Sequence, residues 1–291
     1  MKHLKYIFAA AILMLGFSLK AQELVIRIDD MGALHSVNAA SIDTYQNGIA
    51  KSVEVLVVGP WFPEAVKMLK ENPGLDVGVH LALTSEWDNV KWRPLTECPS
   101  LVNENGYFYP MMWPNQGYPG RSVLEIKDRF DIHEIEKEFR AQIELALKNI
   151  PQLSHISGHM MSTGYDPEVT ALVQRLAEEY GLPSIDRADS GEDYGFSYIG
   201  YDGPTYTSED KISSFIKGLD KVEKGKRYIF LDHPAYNDSE MQTVMHIGYE
   251  NVGIDRQGVT DLLKSPKVLH AIQERGIKLI DINTLTKSQA R

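Results

Sequence analysis

The sequence of 291 residues holds one cysteine, Cys98, so no disulfide within the chain can brace the fold and the domain must stand on its hydrophobic core. It also lacks positive charge: 30 Lys and Arg against 40 Asp and Glu leave a net charge of −10 at pH 7. With no basic run interleaved with aromatics, this balance argues against nucleic acid as a partner and favours a neutral or cationic one. No fixed short repeat and no low-complexity tract is present, which sets solenoids aside. No glycine-rich dinucleotide fingerprint follows the first strand-like segment.

The opening of the chain reads as a leader. Residues Met1 to Ala21 carry lysines at positions 2 and 5, an apolar run from Tyr6 to about Phe17, and a tail ending in the small residue Ala21. The run is too short to span a bilayer comfortably and polar Gln22-Glu23 follow it, so a cleaved signal peptide (1–21) is expected rather than a stable membrane anchor. The mature chain, 22–291, would then be exported, periplasmic or secreted. Its roughly 270 residues suffice for one α/β domain.

The stretch Leu24-Val25-Ile26-Arg27-Ile28-Asp29-Asp30-Met31-Gly32 reads as a buried strand that stops and turns after two adjacent carboxylates. Two such charges repel unless a cation, a set of donors or a shared proton holds them. Strand-like and helix-like segments then alternate. Helices are expected at Ser36 to Gln46 and Pro63 to Glu71, and strands at Ser52 to Val58 and Leu75 to Leu83. A long helix is expected over Ile132 to Ile150, and a strand over Leu153 to Gly158. The next helix begins after Asp166-Pro167, with Asp166 as its cap, and stops at Gly181. A short strand at Leu182 to Asp186, a helix at Ser208 to Leu219 and a strand at Arg227 to Leu231 follow. Two short helices and a closing strand at Gly276 to Ile282 end the chain. Asp189 to Thr207 has no assignable pattern. Periodicity also fails from Thr84 to about Arg121, a loop holding Trp87, Trp92 and Trp113 with four further aromatics. It is too aromatic for disorder, and its flat faces suit stacking on sugar rings, closing a lid, or a subsidiary core.

Strand followed by helix, repeated six or seven times, implies a single-domain α/β fold with a parallel sheet, a distorted (β/α) barrel of about seven strands. Asp29, Asp30, His80, His155, His159 and His233 all fall near C-terminal strand ends, the face where barrel enzymes assemble their sites. One carboxylate with two neutral imidazoles makes a three-ligand site for a divalent ion. The other carboxylate could serve as base and a remaining histidine as acid, an arrangement that hydrolyses an amide or ester. Composition does not say which carboxylate takes which role. His35, His133, His246 and His270 read as surface residues.

Ile28-Asp29-Asp30-Met31-Gly32, Val37-Asn38, Gly48-Ile49, Ser52-Val53, Asn72-Pro73-Gly74 and Val77-Gly78-Val79-His80-Leu81 resemble the opening of the YdjC/ChbG family of carbohydrate deacetylases. His155 to His159, Asp232-His233-Pro234, Leu262 to Pro266 and Gly276 to Ile280 fall where that family's later motifs do. The resemblance implies a distorted (β/α) barrel and metal-dependent removal of acetyl from an N-acetylated sugar or oligosaccharide. It implies Asp30, His80 and His159 as metal ligands, Asp29 as base and His233 as acid.

The chain departs from the family pattern at Ser157 and Met161, where the family shows an Asp and a His flanking the metal-binding histidine. Loss of an orienting carboxylate weakens metal affinity by about ten- to a hundredfold. Either Ser157 substitutes in part, or His155 is the ligand. Arg27 is also outside the pattern, and is expected to pair with a carboxylate or, like Trp87, Trp92 and Trp113, to contact substrate. Two other readings compete: a metallohydrolase of another amide or ester, and a glycan-binding protein without catalysis. The cofactor is expected to be zinc or magnesium, two imidazoles and a carboxylate suiting zinc better. Oligomeric state is not fixed by the sequence, and a dimer is compatible with it.

Overall fold

The computed structural model describes residues 22–116, 119–185 and 194–287. The expected leader, Tyr118, Asp186 and the start of the 189–207 connection lie outside the described residues.

The first strand, β1 (Glu23–Met31), leads into α1 (His35–Gln46), then β2 (Ser52–Val55), α2 (Phe62–Glu71) and β3 (Asp76–Leu81). The long loop follows, with one short helix, α3 (Val123–Lys127), beyond it. Then come α4 (Ile132–Asn149), β4 (Leu153–Gly158), α5 (Pro167–Tyr180), β5 (Phe196–Tyr198), α6 (Ser208–Gly218) and β6 (Arg227–Asp232). The chain closes with α7 (Val252–Leu263), α8 (Pro266–Glu274), β7 (Lys278–Ile280) and α9 (Ile282–Lys287). Helix boundaries follow the sequence signals closely. Asp166 caps α5 by accepting from the amides of Glu168 and Val169, and Gly181 ends that helix at φ +65°. The unassigned connection supplies β5, and α7 begins seven residues earlier than the periodicity suggested, at Val252 rather than Val259.

Among the described residues the named strands pair in parallel, in the order β4-β3-β2-β1-β6-β5. β6 pairs with β1 from Glu23 to Ile28, whereas β7 pairs only with Glu23 to Val25, the part of β1 that β2 does not reach. The sheet therefore curls as a partial barrel around β1, and β4 and β5 form its ends. No helix among the described residues is long and apolar enough to cross a membrane.

The two faces of this sheet differ in kind. Leu24, Ile26, Ile28, Val53, Val55, Val77, Val79, Leu81 and Ile156 belong to the main hydrophobic core. The alternate positions, turned the other way by the period of two, are Val25, Arg27 and Asp29; Ser52 and Glu54; Asp76, Gly78 and His80; His155 and Ser157. Val25 joins a small apolar cluster with Ile229, Ile280, Ile282 and Leu285, which closes one end of the interior. Above it the interior is polar and buried. Glu54 Oε1 lies 2.7 Å from His155 Nε2, and Ser52 and Ser154 both donate to Asp76, at 2.7 and 2.6 Å.

The loop after β3 is pinned to α4. The buried carboxylate of Glu138 accepts from the amides of Leu95 and Thr96 at 3.0 and 2.9 Å, and Glu134 accepts from the amide of Ser100 at 2.8 Å. Cys98 is buried beside Glu138, and burial pushes its thiol up to about 11. It is a packing residue.

Candidate active site

Asp29 and Asp30 are consecutive, and on a regular strand they would face opposite sides of the sheet. The β1–β2 register shifts between Ile28 and Met31, and Asp30 adopts φ +74°. This bulge turns both carboxylates into one cavity of ≈ 630 Å³. Aspartate is among the few residues that accept this left-handed conformation at modest cost. His80 arrives from the end of β3, His159 from the turn after β4, and His233 directly after β6. Met160 and Met161, which follow His159 into the cavity wall, are also left-handed, at φ +51° and +59°.

Each group is held. Arg27 lies two residues below Asp29 on the same strand face and forks onto it, Nε donating to Oδ1 at 2.7 Å and Nη2 to Oδ2 at 2.9 Å. Burial raises the Asp29 carboxyl to about 6, against the lowering influence of Arg27 and His233. Asp30 is buried too, but Arg256, His233 and His159 outweigh that and hold it well below the usual carboxylate range. Arg256 Nη2 donates to Asp30 Oδ2 at 2.9 Å. Burial, with the charges of His159 and Arg27, keeps His80 neutral. His233 is partly buried, which lowers its pKa, yet Asp30 and Asp232 carry it above the ordinary histidine value. Its Nε2 lies 4.0 Å from Asp30 Oδ2 and its Nδ1 3.7 Å from Asp232 Oδ1.

Asp30, His80 and His159 each present a ligand atom within 4.8 Å of the others. Asp30 Oδ1 is buried and accepts no hydrogen bond; His159 Nδ1 is 3.2 Å from it, an ion-pair distance without hydrogen-bond alignment. His80 Nε2 is 3.8 Å from the same oxygen. A buried anionic oxygen that no donor meets in hydrogen-bond alignment, facing two imidazole nitrogens, fits a divalent cation. Glu86 and Asp30 raise His159 to about 10 against its burial, so a cation binding there competes with a proton.

The structure thus brings Asp29, Asp30, His80, His159 and His233 to one cavity. It does not bring His155 there. Full burial in the barrel interior and hydrogen bonds from both ring nitrogens, to Glu54 Oε1 at 2.7 Å and Ser154 Oγ at 2.7 Å, hold His155 one step below Ser157 on β4. Ser157 is hydrogen-bonded not to His159 but to His80 and Glu54. Its Oγ lies 2.8 Å from His80 Nδ1 and donates onward to Glu54 Oε2.

Of the three tryptophans expected at substrate, Trp87 lines the cavity, together with Arg27. Trp92 stands behind His159, edge-on at 5.8 Å, and Trp113 packs on Tyr165 at 5.7 Å. Neither lines the cavity. His246 differs from its expected surface position: it stacks on Trp87 at 5.3 Å, nearly parallel at 16°, and lines the cavity beside Tyr249. Arg256 lies over the Trp87 ring at 5.1 Å. Glu54, Glu86, Arg256, His246 and Tyr249 were not anticipated. Glu54 alone carried a signal, a charge inside the apolar run Ser52 to Val58.

A curled parallel sheet with a buried carboxylate and two imidazoles at its C-terminal edge, flanked by a second carboxylate and a third histidine, defines a (β/α)-barrel protein with a candidate metal centre. The YdjC-like protein family matches residues 23–274, and the chain belongs to it. It is 28% identical over 277 residues to carbohydrate deacetylase 2 of Listeria innocua, covering 91% of this chain and 99% of that protein. It is 27% identical to the chitooligosaccharide deacetylase of Serratia marcescens, with 88% and 96% covered. A crystal structure from Enterococcus faecalis, named as a cellobiose-phosphate cleavage protein, shares the fold with a TM-score of 0.71 at 24% identity, over 91% of this chain and 99% of that one.

Proposed function

We propose that this chain is a metal-dependent carbohydrate deacetylase that hydrolyses the acetamide of an N-acetylated sugar or oligosaccharide to acetate and the free amine. The observation that carries the reading is the unbonded, buried Asp30 Oδ1 facing His80 and His159, with Asp29 and His233 lining the same cavity. The names of its relatives support the substrate class.

A divalent cation held by Asp30, His80 and His159 would supply Lewis acidity to water and to the acetamide carbonyl. Zinc suits this ligand set best by preference, and magnesium is the second candidate. Asp29 takes the proton from the attacking water. The Arg27 fork keeps its carboxylate from rotating away. His233, whose Nδ1 faces Asp232 Oδ1 at 3.7 Å, delivers a proton to the departing nitrogen. Trp87, His246 and Tyr249 form an aromatic wall suited to the flat face of a pyranose.

The test is acetate release from a series of N-acetylated chitooligosaccharides by the metal-loaded protein, before and after chelation. Release that stops with chelator and returns with metal is expected. Release unchanged by chelator, or none from the whole series, overturns the reading.

A further inference from the structure

We infer that Glu86 is a positioning residue that makes His159 present Nδ1 to the centre, while Ser157 and Glu54 make His80 present the opposite nitrogen, Nε2. The inference rests on the metal-dependent reading above and adds to it how the two imidazoles are fixed.

Glu86 sits in the loop after β3 and is buried, so its carboxylate needs a committed partner. That partner is His159 Nε2, at 2.9 Å from Oε2. The other nitrogen of the same ring, Nδ1, points to Asp30 Oδ1 at 3.2 Å. An imidazole that coordinates through one nitrogen carries its proton on the other, and a carboxylate facing that proton fixes the tautomer and raises ligand basicity. The segment carrying Glu86 is itself fixed. The Ser85 amide donates to Tyr109 O at 3.0 Å, Ser85 Oγ accepts from the Trp92 amide at 3.1 Å, and Trp92 Nε1 donates to Thr84 O at 2.7 Å. Trp92 then meets the His159 ring edge-on from the side.

On His80 the logic is reversed. Ser157 Oγ donates to Glu54 Oε2, so its remaining role toward His80 Nδ1, at 2.8 Å, is acceptor. The proton of His80 is thereby placed on Nδ1, and the Nε2 lone pair faces the two aspartates, 3.6 Å from Asp29 Oδ2 and 3.8 Å from Asp30 Oδ1. Two carboxylates from different strands and loops thus impose opposite tautomers on the two ligand rings.

The experiment is titration of the mature chain with Co²⁺, read by its visible absorption band and by affinity, for wild type, Glu86→Gln, Glu86→Ala and Asp30→Ala, with a melting temperature for each. Glu86→Ala is expected to bind about 10- to 100-fold more weakly with an altered band. Glu86→Gln keeps an oxygen that accepts from Nε2, so it is expected to restore the wild-type band and recover part of the affinity. Asp30→Ala is expected to bind none. Wild-type affinity in Glu86→Ala overturns the inference, as does weakening that merely follows a fall in melting temperature. Failure of wild type itself to bind Co²⁺ overturns the metal-dependent reading and this inference with it, an outcome distinct from the other two.

Discussion

Gly78→Ala is expected to damage the barrel interior out of proportion to the one methyl group it adds. A Cβ at this position would stand well inside contact distance of Glu54 Oε2 and His155 Nε2, and 2.6 Å from His155 Cδ2. These are ends of side chains, which elsewhere would swing aside. Here they cannot, because both residues are fully buried and bonded to one another at 2.7 Å. Arg27 Nε stands 3.4 Å from Glu54 Oε1, and Ser154 holds the far side of the His155 ring. Overpacking costs about 1–3 kcal/mol, and breaking a buried charged pair about 3–5. A loss near 3 kcal/mol corresponds to a fall of roughly 6–12 °C in melting temperature for a domain of this size. The clash with the imidazole is separable by a double-mutant cycle. His155→Ala alone leaves Glu54 without its partner, but combined with Gly78→Ala it opens the space the methyl needs. The double variant is therefore expected to be more stable than the sum of the single losses, by about 1–3 kcal/mol. Thermal or urea unfolding reads all three. A Gly78→Ala melting temperature within about 2 °C of wild type, or strict additivity in the cycle, would refute the steric account.

The same pair should give stability a pH dependence. Glu54 is depressed below its ordinary 4.5 by His155 and Arg27, which outweigh burial, so its contribution is present above that value and is lost as pH falls further. His155 is raised above its ordinary 6.5 by Glu54 and Asp76 against burial, so its contribution is complete below 6.5 and is lost as pH rises through the elevated value. Wild type should therefore lose melting temperature above pH 6.5 relative to His155→Gln, and parallel curves would show the pair to be inert. His155→Gln should also keep stoichiometric metal, whereas His159→Ala should lose it; metal analysis of the two purified variants decides between them. Asp166→Ala removes the cap of α5 and is expected to cost about 1 kcal/mol, or roughly 2–4 °C, while leaving metal content unchanged. His233→Gln should lower the turnover of a deacetylation assay by about 10²- to 10⁴-fold with little change in KM, and equal turnover would remove His233 from the chemistry.

The alternation of strand and helix, the cap at Asp166 and the stop at Gly181 were legible because each is a local signal, readable within a few residues. The gathering of Asp29, Asp30, His80, His159 and His233 was legible for a different reason. A parallel barrel sends every strand's C-terminal end to the same face, so position along a strand predicts position in space. The family resemblance added roles that spacing alone left open. Other features had no local signature. Glu86 lies in an irregular loop and Arg256 in the middle of α7, and neither sequence context distinguishes a buried partner of the centre from a solvated charge. His246 looked like a surface residue because nothing near it in sequence announces the stack on Trp87. The three tryptophans of the long loop were equivalent as letters, but the structure separates them: one lines the cavity, one backs His159, and one packs on Tyr165.

The sequence by itself determined the class of fold and the strand ends whose side chains meet in one cavity, because strand period, helix caps and chain order are properties of neighbours. Only the tertiary structure decided how those residues are supported. It showed that a bulge turns two consecutive aspartates to one side, and that Ser157 serves His80 rather than His159. It also placed His155 in a buried pair with Glu54 beneath the site. These outcomes depend on which side chains, far apart in the chain, meet in the closed interior of a curled sheet, where most buried polar atoms are hydrogen-bonded to partners that the sequence does not announce.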